Sequence, residues 1–399
     1  MSLSAYIVGD SSIKLWGLTS QQRIGRQLQQ MGEIQWLESI DQASPVGPVL
    51  LLRADYLFEL RTLRTLLTHP GVVLRCPLDG GLAAVLVSAG RAKDALALLA
   101  DPNAGSARDF EVIEPAALDA YDSELKRVEP PLLEPVNQQL QGVLEDQLYG
   151  NAYKGITDLV TKWLWPVPAR HTVRWCARAG VSPNAVTCFG FGLMLAACYL
   201  FLNGQYALGL AAGWVMTFLD TVDGKLARVT VTSSRFGNAL DHGTDVIHPP
   251  FWYYFWGLSL GSLEPFLGLG VIGLAWVIWI GYLLGRLAEG AFDLLGNAAI
   301  FAWRPFDAYF RLFTARRNTC LIPMTLCVLF GRPDWAYIAV AVWTVATTLV
   351  LLVRLFQGII ERWRHGPLRS WMSDKGVESG PLARAFATFS NTRAAYNRR

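Results

Sequence analysis

Asp220-Thr-Val-Asp223-Gly224-Lys225-Leu-Ala227-Arg228, then eight residues, then Gly237-Asn-Ala-Leu-Asp241-His-Gly-Thr-Asp245, is the stretch on which the reading of this 399-residue chain turns. Apolar segments adjoin it on both sides, so four carboxylates sit at the edge of a membrane span, where ionisable groups are costly and usually functional. The positions 220, 223, 227 and 237, 241, 245 follow helical spacing, which puts each set on one face of a helix. Two such helices facing each other gather the four Asp side chains in one pocket. Carboxylates packed that closely raise one another's pKa values unless cations balance them. Hard divalent ions with oxygen ligands, Mg2+ or Mn2+, suit that task. Gly224, Ala227 and Gly237 lie beside the acids, and their small side chains let a flat or bulky group approach the backbone, as a metal-bound nucleotide diphosphate requires. The plainer readings of the same residues are a polar patch joining two helices, or carboxylates lining an ion pathway.

The pattern D-x2-D-G-x2-A-R-x8-G-x3-D-x3-D resembles, at every defined position, the signature of the CDP-alcohol phosphotransferases, also called CDP-alcohol phosphatidyltransferases. The resemblance covers roughly residues 150 to 360 and implies displacement at the phosphorus of a CDP-alcohol by a hydroxyl, with CMP leaving. It implies that Asp220, Asp223 and Asp241 hold two divalent cations, Mg2+ or Mn2+, and that Asp245 both borders the metals and acts as general base. Arg228 is then a phosphate contact, and Gly224, Ala227 and Gly237 make room for cytidine. Ser182-Pro183-Asn184-Ala-Val-Thr187 opens the first span with a cap and a first-turn proline; a Pro-Asn-x-x-Thr is common there in the family, which makes Asn184 and Thr187 secondary nucleotide contacts. Lys225 is a weaker phosphate candidate. Arg311, Arg316, Arg317 and Asn318 either hold a phosphorylated acceptor, such as an inositol or glycerol phosphate, or only follow the positive-inside rule. Those arginines favour CDP-diacylglycerol as donor with a soluble phosphorylated acceptor, because a lipid hydroxyl needs no cations. The alternative is a soluble CDP-alcohol and a lipid acceptor. An ion transporter would be expected to show internal repeats, and none is visible; a binding protein anchored by its membrane half would leave the motif a relic, yet no member of it has decayed.

The mean hydropathy of +0.28 with 17% charged residues is that of a soluble region averaged with a membrane region. A net charge of +3, without a basic array interleaved with aromatics, argues against nucleic acid. Six cysteines without a C-x2-C pair indicate neither zinc nor a disulfide framework. The first ten residues lack a charged n-region and a long apolar core, so no signal peptide is expected.

The expected fold is an α/β cytoplasmic domain followed by an all-α six-helix transmembrane domain. Short apolar runs at 5–9, 48–52, 71–75 and 82–88 alternate with helical stretches at 21–31 and 58–67, giving α/β layers over 1–148. This region faintly resembles sugar-nucleotide nucleotidyltransferases, but Gly9-Asp-Ser-Ser-Ile-Lys-Leu-Trp-Gly17 has neither the glycine density nor the Pro-Lys ending of their phosphate loop, so a degenerate scaffold or regulatory domain is expected, with Asp10 and Asp55 as loop residues. Residues 149–181, where Trp163, Trp165 and Trp175 interleave with Lys162, Arg170, Arg174 and Arg178, predict an amphipathic juxtamembrane helix broken near Pro166 and Pro168. Spans follow at about 184–203, 206–227, 237–260, 266–288, 318–331 and 335–357 in a membrane domain of 182–362. Pro249 and Pro250 predict a kink, and His248 a packed rather than catalytic histidine. Lys225, Arg228, Arg235, Arg304, Arg311, Arg316 and Arg317 fall in loops on one side and only Arg332 on the other, which predicts a multi-pass cell-membrane protein with both termini and the Asp pocket cytoplasmic. The tail, 363–399, is basic and suited to anionic headgroups or disorder. A homodimer is compatible with all of this, and the oligomeric state is not fixed by it.

Overall fold

Val49, Leu50, Leu51 and Leu52 are all at most 1% exposed, so the strand they form is covered on both faces and not on one. A computed structural model shows how. It describes residues 3–42, 47–101, 110–117, 121–122, 125–128, 131–233, 235–374, 377 and 379–390, without the side chains of 121, 127, 128, 235, 236, 238–242 and 245. The chain divides into two compact units, the first made of Met1–Asp122, Val128–Asn151 and Val229–Thr232 and the second of Ser123–Arg127, Ala152–Arg228 and Ser233–Arg399.

The first unit contains β1 (Leu3–Val8), β2 (Lys14–Leu15), β3 (Leu18–Thr19), α1 (Ser20–Gln29), β4 (Ile34–Trp36), β5 (Pro48–Arg53), β6 (Tyr56–Phe58), α2 (Leu60–Leu67), β7 (Val72–Arg75), β8 (Leu82–Ser88), α3 (Ala92–Ala100) and β9 (Glu111–Ile113). The short β10 (Tyr121–Asp122), β11 (Arg127–Val128) and β12 (Leu133–Pro135) follow, then α4 (Gln141–Asn151). Six strands form one mixed sheet in the order β4-β1-β5-β8-β7-β9, with β1 parallel to β4 and β5, and β8 antiparallel to β5 and β7. Because side chains alternate along a strand, Leu50 and Leu52 join Ile24 and Leu28 of α1 and Leu63 and Leu66 of α2 on one face. Val49 and Leu51 join Ala95, Leu98 and Leu99 of α3 on the other. The result is the α/β layering that the sequence predicts. Thr19 starts α1 with a capping box, its hydroxyl accepting from Gln22 N at 3.3 Å while Gln22 Oε1 accepts from Thr19 N at 3.1 Å.

In place of a phosphate-cradling loop after β1, the chain makes a β2–β3 hairpin whose two turn residues, Trp16 and Gly17, both have positive φ (51° and 80°). Trp16 is buried, stacks on Tyr149 at 5.9 Å and hydrogen-bonds Glu145 through both its backbone N (3.1 Å to Oε1) and its indole (2.9 Å to the carbonyl). Arg23, also buried, donates to Leu15 O at 3.0 Å and Val229 O at 2.8 Å, and Arg26 donates to Thr230 O at 2.7 Å.

In the second unit a π-helical turn at Val160–Leu164 leads into α5 (Pro166–Ala179), which ends at Gly180, whose φ of 70° is the left-handed cap glycine tolerates best. The expected juxtamembrane helix is thus interrupted at Trp165–Pro166, with Trp163 and Trp175 exposed as an interfacial helix requires. There follow α6 (Pro183–Leu202), α7 (Tyr206–Val229), α8 (Arg235–Ser259), α9 (Val271–Asp293), α10 (Pro305–Phe313), α11 (Arg317–Leu329), α12 (Pro333–His365) and α13 (Ala383–Phe389). Among the described residues, α6, α9 and α12 are long and apolar enough to cross a membrane; α7 and α8, of 24 and 25 residues, carry the acids, and α11 has 13. Exposed Leu195, Trp276, Ile280, Leu283, Leu349 and Val353 on those three helices suit lipid and not water. The core joins Met194 and Phe201 of α6, Trp252 and Trp256 of α8, Ile278 of α9, Met324 of α11 and Tyr337 of α12. Its indoles are satisfied: Trp252 donates to Met194 O at 3.2 Å and Trp256 to Pro333 O at 2.9 Å. α8 continues through Pro249 and Pro250. Within the polar tail, Trp371, Met372 and Phe389 are buried, Phe389 against Tyr309 at 5.0 Å, so that part packs; residues 391–399 lie outside the described residues.

Candidate active site

Ser182 caps α6 by accepting from Ala185 N at 3.2 Å, and Pro183 occupies the first turn. That start places Thr187 one turn in, where its hydroxyl lies 2.6 Å from Asp223 Oδ2 on α7. Asp220, one turn earlier on α7, accepts from Arg317 Nη2 at 2.7 Å, the first residue of α11. Both acids open on one cleft, lined also by Val186, Gly190, Phe191, Met216 and, from α8, Thr244. Residues of α6, α7 and α8 therefore meet at this cleft. Asp241 and Asp245 lie on α8, three residues before Thr244 and one after it, and their side chains fall outside the described residues. Asp223 is 5% exposed. A buried carboxylate is costly without hydrogen bonds or a countercharge, and Thr187 supplies one such bond.

Carboxylate and hydroxyl oxygens are the donors at this cleft, a set that fits a hard divalent ion better than a soft one. Arg317 neutralises Asp220 directly, so one of the acceptor candidates belongs to the acid cluster itself.

A Cβ on Gly224 would lie 3.1 Å from Arg228 Nη2, the far end of a side chain that folds back across the position. Arg228 Nε donates to Ala152 O at 2.9 Å, and Lys225, 4% exposed, donates to the same carbonyl at 3.0 Å with its ammonium 3.7 Å from the Tyr153 ring centre. Lys225 thus faces protein groups. Asn184 is exposed, whereas Ala227 and Gly237 are half-buried. His248 packs as expected, its Nδ1 2.6 Å from Thr244 O and its ring against Trp252 at 4.8 Å. Arg316 pairs with Glu289, which also holds Arg286, and both Arg311 and Arg316 lie over the Phe301 ring.

Sequence reasoning missed Asp158. Its carboxylate accepts from Val160 N (3.1 Å), Thr161 N (3.0 Å), Thr161 Oγ1 (2.9 Å) and Asn318 Nδ2 (3.2 Å), tying the π-helical turn to the start of α11 beside Arg317. Burial pushes this carboxyl up, but the Arg311 charge and the bonds from Thr161 and Asn318 outweigh it and hold it below the usual range. Thr157-Asp158-x-x-Thr161 is a capping pattern that could have drawn attention to it. π-helical turns often occur at functional sites.

Residues 180–290 match the family model for CDP-alcohol phosphatidyltransferase. The chain is 36% identical over 97 residues to an archaetidylinositol phosphate synthase of Pyrococcus horikoshii, which covers 24% of this chain and 50% of that protein. It is 39% identical over 69 residues to a phosphatidylinositol phosphate synthase of Mycobacteroides abscessus, covering 17% of this chain and 31% of that protein. The chain therefore spans about half the length of the first relative and about a third of the second.

Proposed function

We propose, from the match of residues 180–290 to the CDP-alcohol phosphatidyltransferase family model, that this chain is a membrane enzyme of phospholipid synthesis that transfers the phosphatidyl group of CDP-diacylglycerol to the hydroxyl of a phosphorylated polyol and releases CMP. The observation that carries the reading is the convergence of Asp220, Asp223 and Thr244 on one cleft between α6, α7 and α8, with every defined position of the motif present. Two Mg2+ or Mn2+ ions held by Asp220, Asp223, Asp241 and Asp245 would supply charge neutralisation on the pyrophosphate. Asp245 takes the proton of the acceptor hydroxyl as its oxygen bonds to the phosphatidyl phosphorus and the bond to the CMP oxygen breaks. Thr187 fixes the rotamer of Asp223, and Arg317 balances the charge of Asp220 until substrate arrives. Gly224, Ala227 and Gly237 leave room for cytidine, with Arg228, Asn184 and Thr187 beside it. Arg311, Arg316 and Arg317 supply positive charge for an acceptor phosphate, and inositol phosphate in the names of both relatives supports that class.

Six spans, formed by α6 to α9, α11 and α12, with both termini and the cleft on the cytoplasmic side, complete the proposal, as does assembly of two copies. The first domain serves as a scaffold. Purified protein given CDP-diacylglycerol, Mg2+ and a panel of polyol phosphates is expected to release CMP and to stop when the metal is chelated. Release only from a soluble CDP-alcohol with a neutral lipid acceptor would reverse donor and acceptor.

A further inference from the structure

Past α12 the chain turns back onto the second unit. It leaves the helix at Gly366, φ 87°, and Leu368 then runs alongside Leu295–Asn297, with Asn297 N donating to Leu368 O at 2.9 Å and Leu368 N to Leu295 O at 3.3 Å. The two backbones are so close that a Cβ on Gly296 would lie 2.9 Å from Leu368 Cα and nearer still to its N and O, so only glycine admits this neighbour. Ser370 caps a short turn that buries Trp371 and Met372. The described segment ends in α13, seven residues long, and a helix of that length is held by packing and not by its own hydrogen bonds. Its anchor is Phe389, which is fully buried: the ring meets Tyr309 of α10 edge-on at 5.0 Å, and the Lys162 ammonium stands 5.1 Å from the ring centre. Lys162 belongs to the π-helical turn, and its Nζ also donates to Gly155 O at 2.9 Å. Its neighbour Thr161 donates to Asp158 Oδ2 at 2.9 Å and accepts from Asn318 Nδ2 at 3.0 Å. Arg317, adjacent to Asn318, pairs with Asp220. A series of contacts and adjacent residues inside one unit thus leads from the end of the chain to the acid cluster.

We propose that Phe389 is a positioning residue for the candidate active site: segment 366–390 is a strap whose grip on Lys162 holds the π-helical turn, and with it Asn318 and Arg317, in place against Asp220. The strap lies well outside the matched region 180–290. The proposal rests on the transferase reading above for what the site does. A π-helical turn is a rare conformation; Asp158 and Thr161 tie this one to α11, and Lys162 ties it to the tail. Releasing the Lys162 end leaves the turn free to shift, and Asn318 shifts with it.

Two measurements on the full-length protein in detergent test this. In the first, Phe389→Leu keeps bulk but removes the ring face, and Lys162→Met keeps the stem but removes the charge. Each is expected to lower kcat/KM for glycerol phosphate or myo-inositol monophosphate about tenfold, a part of the roughly 10²-fold that a misplacement of 1 Å can cost, with KM for CDP-diacylglycerol within about twofold. The double variant is expected to lose no more than either alone, because both changes break one contact. Lys162→Arg, which keeps a cation for the ring, and Arg384→Ala, on the exposed side of α13, are expected to stay within about twofold of the unmodified chain. Single variants at full rate, losses that multiply in the double variant, or a Lys162→Arg as poor as Lys162→Met overturn the proposal. In the second, hydrogen exchange is followed by mass spectrometry without substrate. Phe389→Leu is expected to speed exchange several-fold at 158–164 and 316–320 and to leave 271–285 of α9 as it was. Faster exchange confined to the tail and α10 overturns the proposal. This second readout needs no turnover, so absence of CMP release from every donor would sink the transferase reading while exchange still decides the strap.

Discussion

Asp220 and Asp223 sit one helical turn apart yet have unlike partners, Arg317 for the first and Thr187 for the second. A cation partner can swing away when a divalent ion takes its place, whereas a hydroxyl can stay and donate throughout. Asp223→Ala is therefore expected to lose turnover together with metal-dependent binding of the CDP-alcohol. Asp245→Asn is expected to lower turnover by about 10² to 10⁴, the usual worth of a general base, while nucleotide affinity holds. Turnover and calorimetric titration on the same preparations check the division, and near wild-type turnover in Asp245→Asn removes Asp245 from its role. The placing of Asp220 and Asp223 on one face of α7 was legible in the sequence because helical spacing alone groups them. The Arg317–Asp220 pair was not, because its members are 97 positions apart and only the packing of α11 against α7 brings them together. The same holds for Asp158 and Asn318, 160 positions apart.

At the scale of elements, α9 and α12 are held together by absence of side chain. Gly281 and Gly285 lie four apart on one face of α9, the small-xxx-small spacing that lets membrane helices approach closely. A Cβ on Gly281 would lie 2.9 Å from Thr344 Cγ2, and Thr348 Oγ1 is 2.8 Å from both Gly281 O and Thr344 O. Gly281→Leu is expected to destabilise the protein by about 1–3 kcal/mol, as overpacking does. Gly290→Ala, whose Cβ would meet nothing within 4 Å, is the control. Thermal unfolding in detergent reads both, and equal melting temperatures would refute the close-packing account. Strands such as β8 and helices such as α6 were legible from their apolar runs. α10 was not, since nine residues with Arg311 in their last turn look the same in sequence as a charged loop.

For the molecule as a whole, the first unit is a mixed sheet with helices on both faces. Trp16 fills the turn of the β2–β3 hairpin and bonds to Glu145, and the segment after β1, Gly9-Asp-Ser-Ser-Ile13, lacks the Gly, Arg and Lys pattern of a phosphate cradle. The full chain is expected to release no pyrophosphate from CTP with any alcohol phosphate. Metal-dependent pyrophosphate above the no-enzyme rate would make the chain bifunctional.

α12 runs for 33 residues, about 50 Å at 1.5 Å per residue, whereas the hydrocarbon of a bilayer is about 30 Å thick. From Pro333 it reaches Arg354 after about 32 Å, and there the guanidinium grips Asp307 with bonds of 2.6 and 2.7 Å. Beyond it come Glu361, Arg362, Arg364 and His365. The helix is thus graduated: a sheet of lipid a few ångströms thicker would draw the Arg354–Asp307 pair into oil, and a thinner one would wet Leu352 and Val353. Fatty-acid chain length in the surrounding membrane is then expected to bear on this protein's stability.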